Sequence, residues 1–155
     1  DIHSPLENAL LLASYHLENN RIAINNEIPS NEIFIPGSQN QLEQVLLNLL
    51  INSVDAIIEK RKNGSAYDGE IKIYCKSDLE YVFLYIRDNG IGISEDKLDK
   101  IFDPFFTTKQ PGQGTGLGLS ISYNIIKQHN GEIKIESEYG KGTLITIVLP
   151  VYKNH

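Results

Sequence analysis

The sequence predicts an α/β (α+β) two-layer sandwich, a mixed and mostly antiparallel sheet packed on about three helices. Three observations lead there. Apolar residues recur at helical spacing before residue 20, between about 39 and 61, and between about 117 and 129. Two runs after residue 70 alternate apolar and polar with a period of two, and a hairpin pattern closes the chain. Helix and strand patterns alternate too seldom for a doubly wound fold, so the helices belong on one face of the sheet.

Residues 4–20 read as an amphipathic helix, with Ser4 as its cap and Pro5 at its first position. Its apolar stripe is Leu6, Leu10, Ala13 and Leu17. Arg21–Ile24 and Ile33–Ile35 are short strand candidates around an Asn/Pro turn. Ser38 and Gln41 have the spacing of a capping box for a long helix over about 39–61. Leu42, Val45, Leu46, Leu49 and Val54 supply its buried side. Asn63-Gly64-Ser65 and Asp68-Gly69 mark a loop. In the next strand Ile71, Ile73 and Cys75 alternate with Lys72, Tyr74 and Lys76; in the one after it Val82, Leu84 and Ile86 share a face and Asp88 ends the run. A short helix starts after Ser94, with Glu95 and Asp96 at its positive end. Residues 103–118 hold six Gly or Pro and predict a mobile loop. The last helix, about 117–129, stops at Asn130-Gly131. The final hairpin runs Glu132–Glu138, turns at Tyr139-Gly140-Lys141-Gly142 and returns over Thr143–Leu149 to Pro150. The expected organisation is an N-terminal helix or linker at 1–20, one domain at 21–150 and a tail at 151–155.

At 155 residues the chain has the length of one domain. Lys+Arg 14 against Asp+Glu 20 gives −6, which argues against a partner that is nucleic acid or an anionic membrane surface. That balance still leaves room for a local positive pocket for one phosphorylated small molecule. The single cysteine, Cys75, excludes an internal disulfide and a multi-cysteine zinc site, and fits a reducing, cytoplasmic setting. No apolar run approaches the roughly 20 residues of a membrane helix, and no signal-peptide pattern opens the chain. The lack of any Met predicts a piece of a longer protein, which is free to be membrane-anchored elsewhere. Without a heptad seam the piece is expected to be monomeric.

Asn48, Asn52 and Asp55 stand at i, i+4 and i+7, within roughly 60° of helical arc. A solvated face is one explanation, but Asn is a poor helix former that Lys or Glu would replace with advantage. An amide oxygen is a hard, uncharged ligand suited to Mg2+. Asp88-Asn89-Gly90-Ile91-Gly92-Ile93 follows a strand directly. An ordinary Asx turn fits it, and so does a carboxylate placed to accept a hydrogen bond from an exocyclic amine such as adenine's. Gly112-Gln113-Gly114-Thr115-Gly116-Leu117-Gly118-Leu119 opens a helix, where backbone N–H groups hold anions; a hinge without ligand fits equally. Leu119 excludes both a Walker loop and a dinucleotide fingerprint. Between the glycine segments, Phe102 reads as core, Phe105 and Phe106 as anchors of a lid, and Lys109 as either a point charge for phosphate or a solvated lysine.

These stretches, in this order, resemble the ATP-binding catalytic domain of sensor histidine kinases. Gln44–Ala56 is similar to that family's N box, Asp88–Gly92 to its first glycine box, Phe102–Lys109 to its F box and Gly114–Leu119 to its second. The wording Asn52-Ser53-Val54-Asp55-Ala56 and Phe106-Thr107-Thr108-Lys109 is similar to the nitrogen-regulator type. The resemblance covers about residues 20–150 and implies the Bergerat fold shared with gyrase, mismatch-repair and heat-shock ATPases. It implies ATP and Mg2+ as cofactors. Asp88 would contact the adenine amine, with Thr143 supporting through water, and Asn52 would ligate Mg2+ with Asn48 beside it. Gly90, Gly92 and Ile93 would shape the base pocket, Asp55, Phe105 and Lys109 would face the nucleotide, and backbone from Gly114 through Thr115, Gly116, Leu117, Gly118 and Leu119 would hold phosphates under a lid at 106–114. Asn48, Asn52 and Lys109 form the implied catalytic set.

One position separates the branches. The ATPases carry a Glu four residues before the metal-binding Asn as a base for water; here that place is Asn48. The implied activity is therefore transfer of the γ-phosphoryl group to a histidine on a dimerisation hairpin outside this chain, with a response regulator downstream. A hydrolytic ATPase module and a non-enzymatic nucleotide-sensing domain are the alternatives. None of His3, His16, His129 or His155 has the acceptor pattern H-E-x-x-P or H-E-x-x-N. His129 is expected at a helix end, where a protonated imidazole is favourable.

Overall fold

Alternating apolar residues from Gly69 to Asp88 form two antiparallel strands, and the rest of the sheet grows around them. The computed structural model describes residues 1–64 and 66–152. Ser65 of the predicted turn, and the end of the tail with His155, lie outside the described residues. The elements are α1 (His3–Asn19), β1 (Ile22–Glu27), α2 (Gln39–Lys62), β2 (Gly69–Ser77), β3 (Tyr81–Asp88), the single-turn α3 (Glu95–Leu98), α4 (Gly118–Gln128), β4 (Glu132–Glu138) and β5 (Gly142–Pro150). The five strands lie in the order β1-β2-β3-β5-β4. Only β1 and β2 are parallel, because α2 is the crossover between them. The other pairs are antiparallel, so the sheet is mixed as expected.

One face of the sheet carries the core. Ile71 and Ile73 of β2, Leu84 and Ile86 of β3 and Ile147 and Leu149 of β5 are nearly inaccessible to solvent. They meet Leu49, Leu50, Val54 and Ile57 of α2 and Ile126 of α4 in one cluster. Pro5, Leu6, Ala9, Ala13 and Leu17 of α1 are buried too, with Ala9 taking the place expected for the only half-buried Leu10. Burial on this scale is what drives a fold of this size. The opposite face of the sheet is polar and aromatic, with Tyr74 and Tyr85 paired in register and stacked at 4.6 Å. Among the described residues no helix is long and apolar enough to cross a membrane.

Four local expectations need correction. The helix of residues 4–20 starts at His3, and Ser4 does not cap it. Asp1 instead accepts from the His3 N–H at 3.3 Å, while the Ser4 hydroxyl accepts from Gln39 Nε2 at 2.8 Å. Ile33–Ile35 is not a strand. Between Pro29 and Pro36 it makes only isolated backbone bonds, Ile2 N–H to the Ile33 carbonyl and Tyr152 N–H to the Phe34 carbonyl. The capping box of α2 is half present: Ser38 Oγ accepts from the Gln41 N–H at 3.4 Å, but the Ser38 N–H donates to His129 Nε2 at 2.9 Å. His129 is buried, and its Nδ1 faces the Ile125 carbonyl at 2.8 Å. A ring that accepts at Nε2 and donates at Nδ1 is neutral, contrary to the expected imidazolium. The predicted stop of α4 does form, with Asn130 at φ 55°.

Candidate functional site

A cavity opens between α2, the turn that follows β3, the start of α4 and the loop before it. From α2 it is lined by Asn52, Ser53, Asp55, Ala56 and Glu59. From the sheet it takes Asp88, Ile135, Thr143 and Ile145, and from the turn Ile91, Gly92 and Ile93. The loop contributes Ile101, Phe106, Thr107, Thr108, Lys109 and Gly116, and α4 contributes Gly118 and Leu119. Residues far apart in sequence, Asn52, Asp88, Thr143 and the α4 N-terminus, therefore share one space.

Asp88 ends β3 and is only 5% exposed. Its Oδ1 accepts from the Gly90 N–H at 2.9 Å. Burial pushes its carboxyl up to about 6 from the ordinary 3.8, against the opposing pull of the Gly90 N–H, the neighbouring Ser53 hydroxyl, the Thr143 N–H and the Lys60 charge. The Ser53 Oγ is buried on the cavity wall, close to Asp88 but with no partner at full hydrogen-bond geometry among the described residues. A buried polar atom in that state is a place for a ligand or water to bind.

Thr143 faces Asp88 across the β3–β5 ladder. Its Oγ1 lies 2.8 Å from Ser137 Oγ, which also donates to the Gly142 carbonyl at 2.9 Å and accepts from the Ile93 N–H at 2.8 Å. The one proton of Ser137 is thus engaged, so Thr143 donates to it and keeps its lone pairs as acceptors. Gly92 has φ 74°, and a Cβ there would lie 2.2 Å from the Glu138 carbonyl oxygen, so only glycine lets the turn pack on β4.

The α4 end of the site is built from backbone. Gly118 opens the helix, and the Leu117 N–H before it donates to Thr115 Oγ1 at 3.3 Å. The next N–H groups have no intrahelical partner and carry the positive end of the helix dipole. Gly116, at φ 67°, accepts from the Phe105 N–H at 2.8 Å, and a Cβ there would meet the Phe105 backbone at 2.4 Å. This contact sets the loop against α4. Lys109 reaches back to α2, its Nζ 2.5 Å from Asp55 Oδ2.

The expected site residues divide accordingly. Asn52, Asp55, Asp88, Gly92, Ile93, Lys109, Gly116, Gly118, Leu119 and Thr143 line the cavity. Asn48 sits one turn before Asn52, and its Nδ2 donates to the Gly118 carbonyl at 3.4 Å and to Ser122 Oγ at 3.5 Å, tying α2 to α4; it is not among the residues that line the cavity. Gly90 is buried behind Asp88, while Gly114, Thr115 and Leu117 stand outside the lining. Phe105, at φ 67°, is 74% exposed, and Phe106 faces the cavity in its place. Ser53, Glu59, Ile145 and the supporting Ser137 did not stand out in the sequence. Only Ile145 had a signal there, the period of two that puts it on the Thr143 face.

Comparison with known proteins agrees with this geometry. Residues 37–153 match the family described as histidine kinase-, DNA gyrase B- and HSP90-like ATPase. Sporulation kinase E of Bacillus subtilis (strain 168) is 45% identical over 116 residues, covering 74% of this chain and 14% of that protein. Sensor histidine kinase ZraS of Escherichia coli (strain K12) is 36% identical over 155 residues, covering 97% and 30%. The chain thus spans less than a third of these curated relatives. The solved catalytic domain of histidine kinase ThkA is similar with a TM-score of 0.80 at 28% identity, covering 97% of this chain and 94% of that one.

Proposed function

The chain belongs to the histidine kinase-, DNA gyrase B- and HSP90-like ATPase family, and from that premise we propose that it binds Mg2+-ATP and donates the γ-phosphoryl group to a histidine on a dimerisation hairpin of the whole protein. The observation that carries this reading is the shared cavity of Asp88, Asn52 and the first turn of α4. Asp88, when ionised, accepts a hydrogen bond from the exocyclic amine of adenine, a strong bond in a dry site. Thr143 offers an acceptor beside it, suited to a bridging water. The N–H groups at the start of α4 face the phosphates.

The donor chemistry fits Mg2+. Asn52 brings a neutral, hard amide oxygen to the cavity wall. Among the described residues no group of three or more His, Cys, Asp or Glu could hold a metal ion. A single amide donor therefore suits a metal that keeps waters and binds substrate phosphates. When bound, Mg2+ offsets the negative charge of the transferring phosphoryl group. Lys109 must leave Asp55 to add its own charge there.

Asn48 supports transfer rather than hydrolysis. Its amide is engaged with Gly118 and Ser122, and an amide takes no proton near neutral pH. No base at that place activates water, so the phosphoryl group is kept for an imidazole. The partners that follow are the histidine hairpin and a response regulator.

ATP labelled at the γ-phosphate, incubated with this chain and the parent protein's hairpin in trans, tests the reading. Acid-labile label on the hairpin histidine, lost with Asn52→Ala, is the expected result. Release of inorganic phosphate at one rate with and without the hairpin would make the chain a hydrolase, and no retained nucleotide would refute the site.

A further inference from the structure

Asn89, between the carboxylate and the first glycine, is held on three sides. Its Oδ1 accepts from the Glu70 N–H at 2.9 Å and its Nδ2 donates to the Asp68 carbonyl at 2.9 Å, which pins the end of β3 to the start of β2. Its own carbonyl accepts from Lys60 Nζ at 3.0 Å. Lys60 is half-buried on the last turns of α2, and its ammonium lies 4.4 Å from the centroid of the Tyr67 ring. One turn earlier on the same helix, the Ala56 carbonyl accepts from the Ile91 N–H at 3.0 Å. Two bonds from α2 therefore fix the turn that carries Asp88.

Arg61, next to Lys60 on α2, donates to the Asn20, Arg21 and Tyr67 carbonyls, and the other surrounding cations are paired or face solvent. On the cavity side Asp55 and Glu59 are acidic, and Lys109 is paired with Asp55. On the other side of the turn lie Glu70, Lys72, Arg87, Glu136, Glu138 and Lys141. Lys72 is paired with Glu27 and Lys141 with Glu138, while Arg87 is exposed to solvent. Lys60 makes no ion pair among the described residues. Its charge also favours the ionised Asp88 carboxyl, as the smallest of the pulls on it after the Gly90 N–H, the Ser53 hydroxyl and the Thr143 N–H.

We propose that Lys60 is a positioning residue for nucleotide recognition, anchoring the backbone next to Asp88 and supplying the positive charge that this buried carboxylate otherwise lacks. The inference rests on the reading of the cavity as an ATP site. Lys60 touches no part of the nucleotide; it acts through the Asp88-Asn89-Gly90 turn. A lysine is suited to this: its stem packs along α2 while three rotatable donors reach a carbonyl and a ring face.

The test is ATP affinity of the 155-residue chain measured by calorimetry from pH 5 to 8, for wild type, Lys60→Met and Lys60→Arg. Thermal melts confirm that each is folded. Wild type is expected to lose affinity as pH falls through the range in which Asp88 takes up a proton. Lys60→Met is expected to bind about threefold to tenfold more weakly near neutral pH, with the loss setting in at higher pH; Lys60→Arg restores both. A Lys60→Met variant that binds less tightly but keeps the wild-type pH midpoint would show a merely structural lysine and overturn the proposal, as would unchanged binding. If wild type itself binds no ATP, the reading of the cavity fails first, and this inference with it.

Discussion

The Lys109 ammonium lies 2.5 Å from Asp55 Oδ2, joining the loop before α4 to the middle of α2 across the mouth of the cavity. Both side chains are about a third exposed, 30% and 39%, so the pair contributes little to stability, about 0–1 kcal/mol. Its consequence is positional. It parks a cation where phosphate would lie and keeps the loop against α2.

Lys109→Met should therefore leave the melting temperature nearly unchanged while weakening ATP. On the proposed reading the freed lysine reaches the γ-phosphate, so the preference for ATP over ADP should shrink about tenfold while ADP itself binds almost as before. Calorimetric titration with each nucleotide checks this.

The raised carboxyl of Asp88 links folding and binding to pH with opposite signs. In the folded chain it titrates at about 6, against 3.8 for an ordinary aspartate. Between those values the folded state holds more protons than the unfolded one, so stability falls as pH rises from about 4 to 6. The full difference is about 3 kcal/mol for a group this buried. Asp88→Asn should thus stabilise the nucleotide-free protein more at pH 7 than at pH 4, as read by urea unfolding at both. In the proposed reading ATP binding needs the anion, so wild-type affinity should fall as pH drops through about 6.

His129 replaces the reciprocal half of a capping box from 91 residues away. Removing it leaves the Ser38 N–H at the start of α2 unpartnered. His129→Ala should cost about 2–4 kcal/mol, combining the lost bond with an emptied buried site. Urea unfolding measures this, and the affinity of the remaining folded protein for ATP should be unchanged, because His129 is absent from the cavity wall.

At Gly116 a side chain would collide with the Phe105 backbone and would need a left-handed φ. Gly116→Ala should detach the loop from α4 and weaken ATP about tenfold or more, with little change in the unfolding midpoint, since the loop contributes little to the core. The same two measurements separate the effects.

Much of this was legible in the sequence because the signals are local. Alternation located β2 and β3, and with them Asp88 at a strand end. Helical spacing put Asn52 and Asp55 on one arc of α2. The rest depends on contacts that no local pattern records. Ser4 looks like a cap, but Asp1 reaches the His3 N–H and Gln39 takes the serine hydroxyl. His129 looks like a helix-end residue favoured as a cation, but the Ser38 N–H meets it from the start of another helix. Phe105 and Phe106 are indistinguishable by type; the left-handed backbone at Phe105 turns it outward and leaves the cavity to Phe106. Ser137 and Lys60 are ordinary surface residue types, and only the packing of β4 and α2 on the glycine turn brings them against it.

The central claim is that Asp88 and Asn52 serve one nucleotide from two ends. ATP titrated with and without Mg2+ into wild type, Asp88→Asn and Asn52→Ala tests it most directly. The account expects Asp88→Asn to lose about tenfold to a hundredfold in affinity whether or not Mg2+ is present, and Asn52→Ala to lose only the increment that Mg2+ provides. Wild-type affinity in Asp88→Asn, or a Mg2+ increment that survives Asn52→Ala, would contradict it.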